Sequence, residues 1–175
     1  IDKGTVYMDA HHDHANTETI VGHATLATGA HPSTHGMIGN LWLDREKGRT
    51  VYNIEDDQFE LLSKNAGVNK KTEIDHTQKA ANTSGRSPAA ILVSTFSDEL
   101  ASHTAGKSMV FGVSVKDRGA VSMAGHAGKA FWFSKASGEF VTSSYYYKQY
   151  PEWVVEWNAR DIISNYSDTA WTLLN

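Results

Sequence analysis

A threonine opens the first helical pattern in this sequence. Within Thr19-Ile20-Val21-Gly22-His23-Ala24 and its continuation to Thr28, residues Ile20, His23, Ala24 and Ala27 recur at helical spacing, and Gly29 followed by Pro32 stops the run. The Thr19 hydroxyl therefore falls at a helix start. Free backbone N–H groups and the positive end of the helix dipole gather there, and both favour a phosphate oxygen beside that hydroxyl. The same position suits a simple N-cap. To act as a nucleophile, a threonine hydroxyl needs a metal or a base that makes it an alkoxide.

A second group, Lys116-Asp117-Arg118, follows the apolar run Met109 to Val115. If the chain stays extended, alternation sends Lys116 and Arg118 to one face and Asp117 to the other, a two-cation pincer suited to a phosphoryl group. It would stand beyond the carboxyl end of a parallel strand, where open α/β sheets place ligands; a solvated charged loop has the same spacing. In Gly36-Met37-Ile38-Gly39-Asn40 the Asn40 amide offers an N–H to an oxyanion, although turn chemistry also explains an Asn beside a Gly. Histidines crowd the early chain: His11, His12, Asp13 and His14, then His23, His31 and His35. Strand alternation prevents His11 and His12 from sharing one ion, whereas His12 and His14 meet that condition. Hydrogen-bonding histidines near a site are the alternative.

The elements that must position these groups follow from periodicity and turn residues. Thr5 to Met8 reads as a strand leading into a polar connection through Asn16. Asn40–Asp44 and Thr50–Ile54 flank Lys47-Gly48 as a hairpin. Residues 56–86 are polar and weakly periodic, a surface excursion. A helix is expected from Ser87-Pro88 to Gly106 with Ala89, Leu92, Val93, Phe96 and Leu100 as its apolar stripe. Met109 to Val115 then reads as a strand buried on both faces. Lys129–Phe133 and Glu139–Ser143 form a second hairpin, and Pro151 starts a helix with Trp153, Val154 and Trp157 on one side. Trp132, Tyr145, Tyr146, Tyr147, Trp153, Trp157 and Trp171 are expected in core and hairpin packing rather than as a binding platform. A helix feeding a buried strand is an α/β signature.

The chain has 175 residues, 40% hydrophobic and 21% charged, with a net charge of -4 and no cysteine. This is the composition of one ordinary globular domain. Disulfides and thiolate metal sites are excluded. There is no basic excess for a nucleic acid or an anionic membrane surface, and no run approaches the roughly 18 apolar residues of a membrane-spanning helix. The opening on Ile1 suggests a cut or processed N-terminus.

Taken in order, Thr19 to Gly29, Pro32 with His35-Gly36-Met37-Ile38-Gly39-Asn40, Val115-Lys116-Asp117-Arg118-Gly119-Ala120, Trp132-Phe133 and Thr142-Ser143 resemble the threonine-nucleophile bacterial alkaline phosphatases. The resemblance implies hydrolysis of small phosphate monoesters through a phosphothreonine on Thr19, with two zinc ions of which Thr19 is a ligand. It also implies that Asn40, Lys116 and Arg118 contact the non-bridging phosphoryl oxygens, and that the protein is periplasmic or secreted. The remaining zinc ligands would lie outside residues 1–175, so this chain alone is expected neither to hold both zincs nor to turn over substrate. The implied fold is a partial α/β sandwich of alkaline-phosphatase type, with a mostly parallel central sheet and β-hairpin excursions. Its one partial catalytic domain divides into a nucleophile segment 1–55, the excursion 56–86 and a phosphate-clamp segment 87–175, with the rest of the polypeptide as a partner. A phosphodiesterase or sulfatase of the same superfamily, and a non-catalytic histidine-rich binding module, are the competing readings.

Overall fold

Helices packed on two small sheets position the candidate residues at the starts of two helices and at the entry to the first strand. The computed structural model describes residues 3–166, 169–170 and 172–173, so Trp171 lies outside the described residues. Helix α1 spans Thr19–Thr28, α2 Pro32–His35, α3 His76–Lys79, α4 Phe96–His103, α5 Asp117–Ala124 and α6 Glu152–Ala159. Strands β1 (Leu41–Asp44) and β2 (Arg49–Tyr52) form the first hairpin. Strands β3 (Phe111–Ser114), β4 (Lys129–Ser134) and β5 (Glu139–Val141) form a mixed sheet in that order: β3 runs parallel to β4, with α5 as the crossover, and β4 pairs antiparallel with β5.

The core lies where α1 and α5 meet β4. Ile20, Val21 and Ala24 of α1, Ala120, Val121 and Ala124 of α5, and Ala130, Trp132 and Val141 from the sheet are buried together with Tyr52, Ile54 and Met37. Small residues let α5 approach β3 closely. A Cβ on Gly112 would stand 2.2 Å from the Ala120 carbonyl oxygen, so only glycine fits at that strand position. The C-terminal stop of α1 is the expected one: Gly29 sits at φ 66° and its N–H bonds back to the Thr25 carbonyl.

Four expectations change. No strand forms at Thr5–Met8; among the described residues this segment is irregular, and Val6, Tyr7 and Met8 are exposed, as fits a β-rich stretch without a partner strand. The helix expected from Ser87 begins at Phe96 instead. Residues before it are pinned across the chain, Ser87 N–H to the Ile54 carbonyl at 3.1 Å and Leu92 N–H to that of His35 at 3.1 Å. A capping box, Thr95 with Asp98, then fixes the start. Strand β3 buries only Gly112, while Met109, Phe111, Val113 and Val115 are exposed. Its composition is that of a doubly covered strand, but within this chain one face stays uncovered. Lastly, segment 56–86 is no solvated excursion: Leu61, Ala66, Thr77, Gln78 and Arg86 are buried, and its backbone bonds to Thr142 and Ser144.

The aromatic packing is as read for Trp132 and Tyr146, both buried, with Tyr145 and Tyr147 against the core. In α6 Val154 is buried; Trp153 packs edge-on to Phe131 at 5.1 Å and to Phe111 at 6.0 Å but stays half exposed, and Trp157, expected in packing, is exposed with Arg160 over its ring.

Candidate active site

Thr19 is the first residue of α1 rather than its cap. Glu18 occupies the N-cap position in an extended conformation and makes no side-chain cap bond. The orphan N–H of Ile20 is satisfied from a distance, by Asn40 Oδ1 at 3.1 Å. Glu18 Oε2 accepts the Asn40 N–H, and Asn53 holds the Asn40 carbonyl by a side-chain bond of 2.8 Å. The Asn40 amide is thereby oriented with its oxygen on the helix and its Nδ2 left as a donor. The Thr19 hydroxyl is exposed and accepts or donates no hydrogen bond among the described residues. One turn on, His23 Nδ1 donates to the Thr19 carbonyl at 2.7 Å, a bond that fixes which ring nitrogen carries its proton.

Lys116 caps α5 and Arg118 is its second residue, so the pair does not arise from an extended strand as the sequence suggested. The chain turns into the helix at Asp117. The two cations nonetheless converge: Lys116 Nζ donates to Asp75 Oδ2 at 2.5 Å and Arg118 Nη2 to the same oxygen at 3.1 Å. Arg118 Nη1 donates to Thr77 Oγ1 at 2.8 Å. Lys116 is 39% exposed and Arg118 only 4%. Burial works to raise the Asp75 pKa, but hydrogen bonds from Lys116 and Thr77 and the charge of Arg118 outweigh it and hold the carboxyl well below its ordinary range.

Asp117 turns inward. It accepts from Tyr52 OH at 2.7 Å, Gln78 Nε2 at 2.8 Å and Arg86 Nε at 2.7 Å. Burial pushes its pKa up, the Arg86 charge and these bonds push it down, and the balance lies below the usual value. The buried Tyr52 hydroxyl, raised first by desolvation and then by the Asp117 charge, stays protonated as the donor. Sequence reasoning missed Asp75, Tyr52, Gln78 and Arg86. Only Asp75 carried a local signal, as an N-cap for Thr77; the others are assembled by tertiary contacts.

The two halves adjoin. A Cβ on Gly119 would stand 3.4 Å from His23 Nε2, so the first turn of α5 lies against α1, and Asn53 beside Tyr52 joins Asn40 to the Arg118 surroundings. A cavity of about 470 Å³ opens beside Lys116 at the ends of β3 and β4, lined by Gln78, Arg86, Trp132 and Lys135 among others. Thr19 and Asn40 do not line it.

Among the described residues no three His, Asp or Glu side chains are grouped to hold a metal ion. His12 and His14 lie with rings 4.9 Å apart, His11 pairs with Asp9, and His35 is spent on Thr25 and on the Met37 N–H. Desolvation, and the nearby His14 charge, keep the His35 pKa low.

The chain matches the sequence profile of the type I phosphodiesterase / nucleotide pyrophosphatase family over residues 1–172. It is 35% identical over 159 residues to alkaline phosphatase PhoV of Synechococcus elongatus, spanning 90% of this chain and 26% of that protein. To alkaline phosphatase PafA of Elizabethkingia meningoseptica it is 33% identical over 176 residues, 99% of this chain and 30% of that one. The chain thus spans under a third of the length of these curated relatives. The crystal structure of PafA superposes with a TM-score of 0.75 at 34% identity, covering 90% of this chain and 28% of that enzyme. A solved variant of PafA, similar at the same TM-score and 32% identity, carries substitutions at one threonine, one asparagine, one lysine and one arginine.

Proposed function

Because the chain belongs to the type I phosphodiesterase / nucleotide pyrophosphatase family, we propose that the protein containing it hydrolyses phosphate monoesters, with Thr19 as the nucleophile. The observation that carries this reading is that Lys116 and Arg118 aim both their charges at a single oxyanion, Asp75 Oδ2, next to the helix that presents Thr19. The substituted threonine, asparagine, lysine and arginine of PafA occur in the same order, with the same threonine-to-asparagine and lysine-to-arginine intervals, as Thr19, Asn40, Lys116 and Arg118, which supports it.

Thr19 Oγ1, its proton lost to solvent, forms the bond to phosphorus as the ester oxygen departs with its electron pair and takes up a proton from solvent; water then attacks the phosphothreonine, releasing inorganic phosphate and restoring the Thr19 hydroxyl. Asn40 Nδ2, Lys116 and Arg118 bind the non-bridging oxygens, where a loose transition state spreads its charge. The free N–H groups at the start of α1 favour negative charge beside Thr19. Two zinc ions are the cofactors that the resemblance implies; when bound they would activate oxygen nucleophiles, with their ligands other than Thr19 outside this chain. The rest of the polypeptide is also the expected cover for the exposed face of β3. A periplasmic or secreted location rests on the resemblance, and no helix among the described residues is long and apolar enough to cross a membrane.

Diester hydrolysis is the second reading, favoured by the family description. The two cations weigh against it, since a doubly charged phosphoryl gains more from them than a singly charged one. In the complete zinc-loaded protein, Lys116→Ala should lower aryl phosphate monoester hydrolysis by about 10²-fold, in line with the loss of one oxyanion donor, and diester hydrolysis by much less. Equal losses on both esters would remove the monoester assignment.

A further inference from the structure

Among the described residues Asp75 is the one anion that both clamp cations touch with their side chains. Each oxygen of the carboxylate has its own task. Oδ1 accepts the Thr77 N–H at 3.0 Å and the Thr77 hydroxyl at 2.6 Å, capping α3, while Oδ2 takes both cations. Arg118 is enclosed by Asp75, Thr77 and Tyr52, and its Nε is buried with no acceptor among the described residues. A guanidinium with an orphaned buried donor has not satisfied its hydrogen-bonding capacity, so an arrangement with a further oxyanion is open to it. Of the two clamp cations, Lys116 is the one with a solvent-facing side.

We propose that Asp75 is an internal occupant of the anion site, a carboxylate standing where a phosphoryl oxygen goes, and that a phosphate group enters by exchange with it. The inference rests on the clamp reading of Lys116 and Arg118 given above. In the exchange no covalent bond changes; the Asp75 carboxylate leaves the two cations, and the incoming oxygens take its hydrogen bonds. The occupant has a structural benefit, because without it a buried Arg118 charge would face only neutral acceptors on that side. Its cost falls on binding. Every anion must displace a charge-assisted pair of bonds before it gains its own, so Asp75 weakens anion affinity without touching the reacting atoms.

The test is isothermal calorimetry of inorganic phosphate, together with steady-state kinetics on an aryl phosphate, using the complete zinc-loaded protein. Asp75→Asn retains an oxygen for the Thr77 cap but presents no charge to the cations. It should tighten phosphate binding by about 10-fold and lower KM in step, with kcat changed by less than about 3-fold, while Asp75→Glu restores the native affinity. Weaker or unchanged phosphate binding in Asp75→Asn overturns the proposal and makes the residue a plain support for the cations. Lys116→Ala in parallel separates the two levels: if it leaves phosphate affinity unaltered, the clamp reading itself falls; if it weakens binding while Asp75→Asn does not tighten it, only the occupant falls. Should Asp75→Asn fail to fold, Asp75→Ser, which keeps a capping hydroxyl, is measured against the same two outcomes.

Discussion

The starts of α1 and α5 present opposite solutions to the same local problem. Each helix begins with unpaired N–H groups and a chemically capable side chain. At α1 the Thr19 hydroxyl is exposed and unbonded among the described residues, and the only distant support is the Asn40 amide. At α5 every charge is matched inside the chain: Asp117 by Arg86, and Lys116 and Arg118 by Asp75. One end is open and lightly held, the other closed and strongly held. Substitutions should therefore separate into those that damage the fold at α5 and those that spare it at α1.

The largest effect is expected at Asp117. Asp117→Ala leaves the 4% exposed Arg86 guanidinium without its counterion, together with the Tyr52 and Gln78 donors, and should cost about 3–5 kcal/mol of stability in urea unfolding. A loss below about 1 kcal/mol would erase the contrast between the two ends. Acid should act on the same end. Folded-state pKa values of Asp75 and Asp117 lie below their unfolded ones, so their contribution is complete above the unfolded value of about 3.9 and fades as pH falls beneath it. The urea midpoint should drop between neutral pH and about pH 3, and Asp75→Asn should shrink that drop. Next comes Asn40→Ala, which removes the acceptor for the Ile20 N–H and should cost about 1 kcal/mol, the usual worth of a cap. The smallest effect belongs to Thr19→Ala, within about 0.5 kcal/mol of the parent stability, as fits an exposed, unbonded side chain.

Legibility divided along the same line. The limits of α1, both hairpins and the start of α6 could be read locally, because periodicity, Gly29, the Lys47-Gly48 turn and Pro151 act within a few residues. The apolar stripe after Ser87 mimicked a helix, yet Leu92 is exposed and the true start was announced by Thr95 and Asp98, a capping box that the stripe outweighed. Strand β3 has the composition of a covered strand, yet among the described residues its Phe111 and Val113 face is covered only in part, by Trp153 against Phe111, and both side chains stay exposed. At the site, the residue types and order of Thr19, Asn40, Lys116 and Arg118 were visible. The Asp75 partner was not, since it lies 41 positions before Lys116 and belongs to a segment that composition alone marks as solvent-facing.

The central claim is that Thr19 takes the phosphoryl group. The complete zinc-loaded protein, mixed with an aryl phosphate, quenched in acid and digested for peptide mass mapping, should show one added phosphoryl group on the peptide holding Thr19, with fragmentation placing it on that residue, and none in Thr19→Ala. A phosphoryl group on another side chain, or unimpaired turnover by Thr19→Ala, would contradict it.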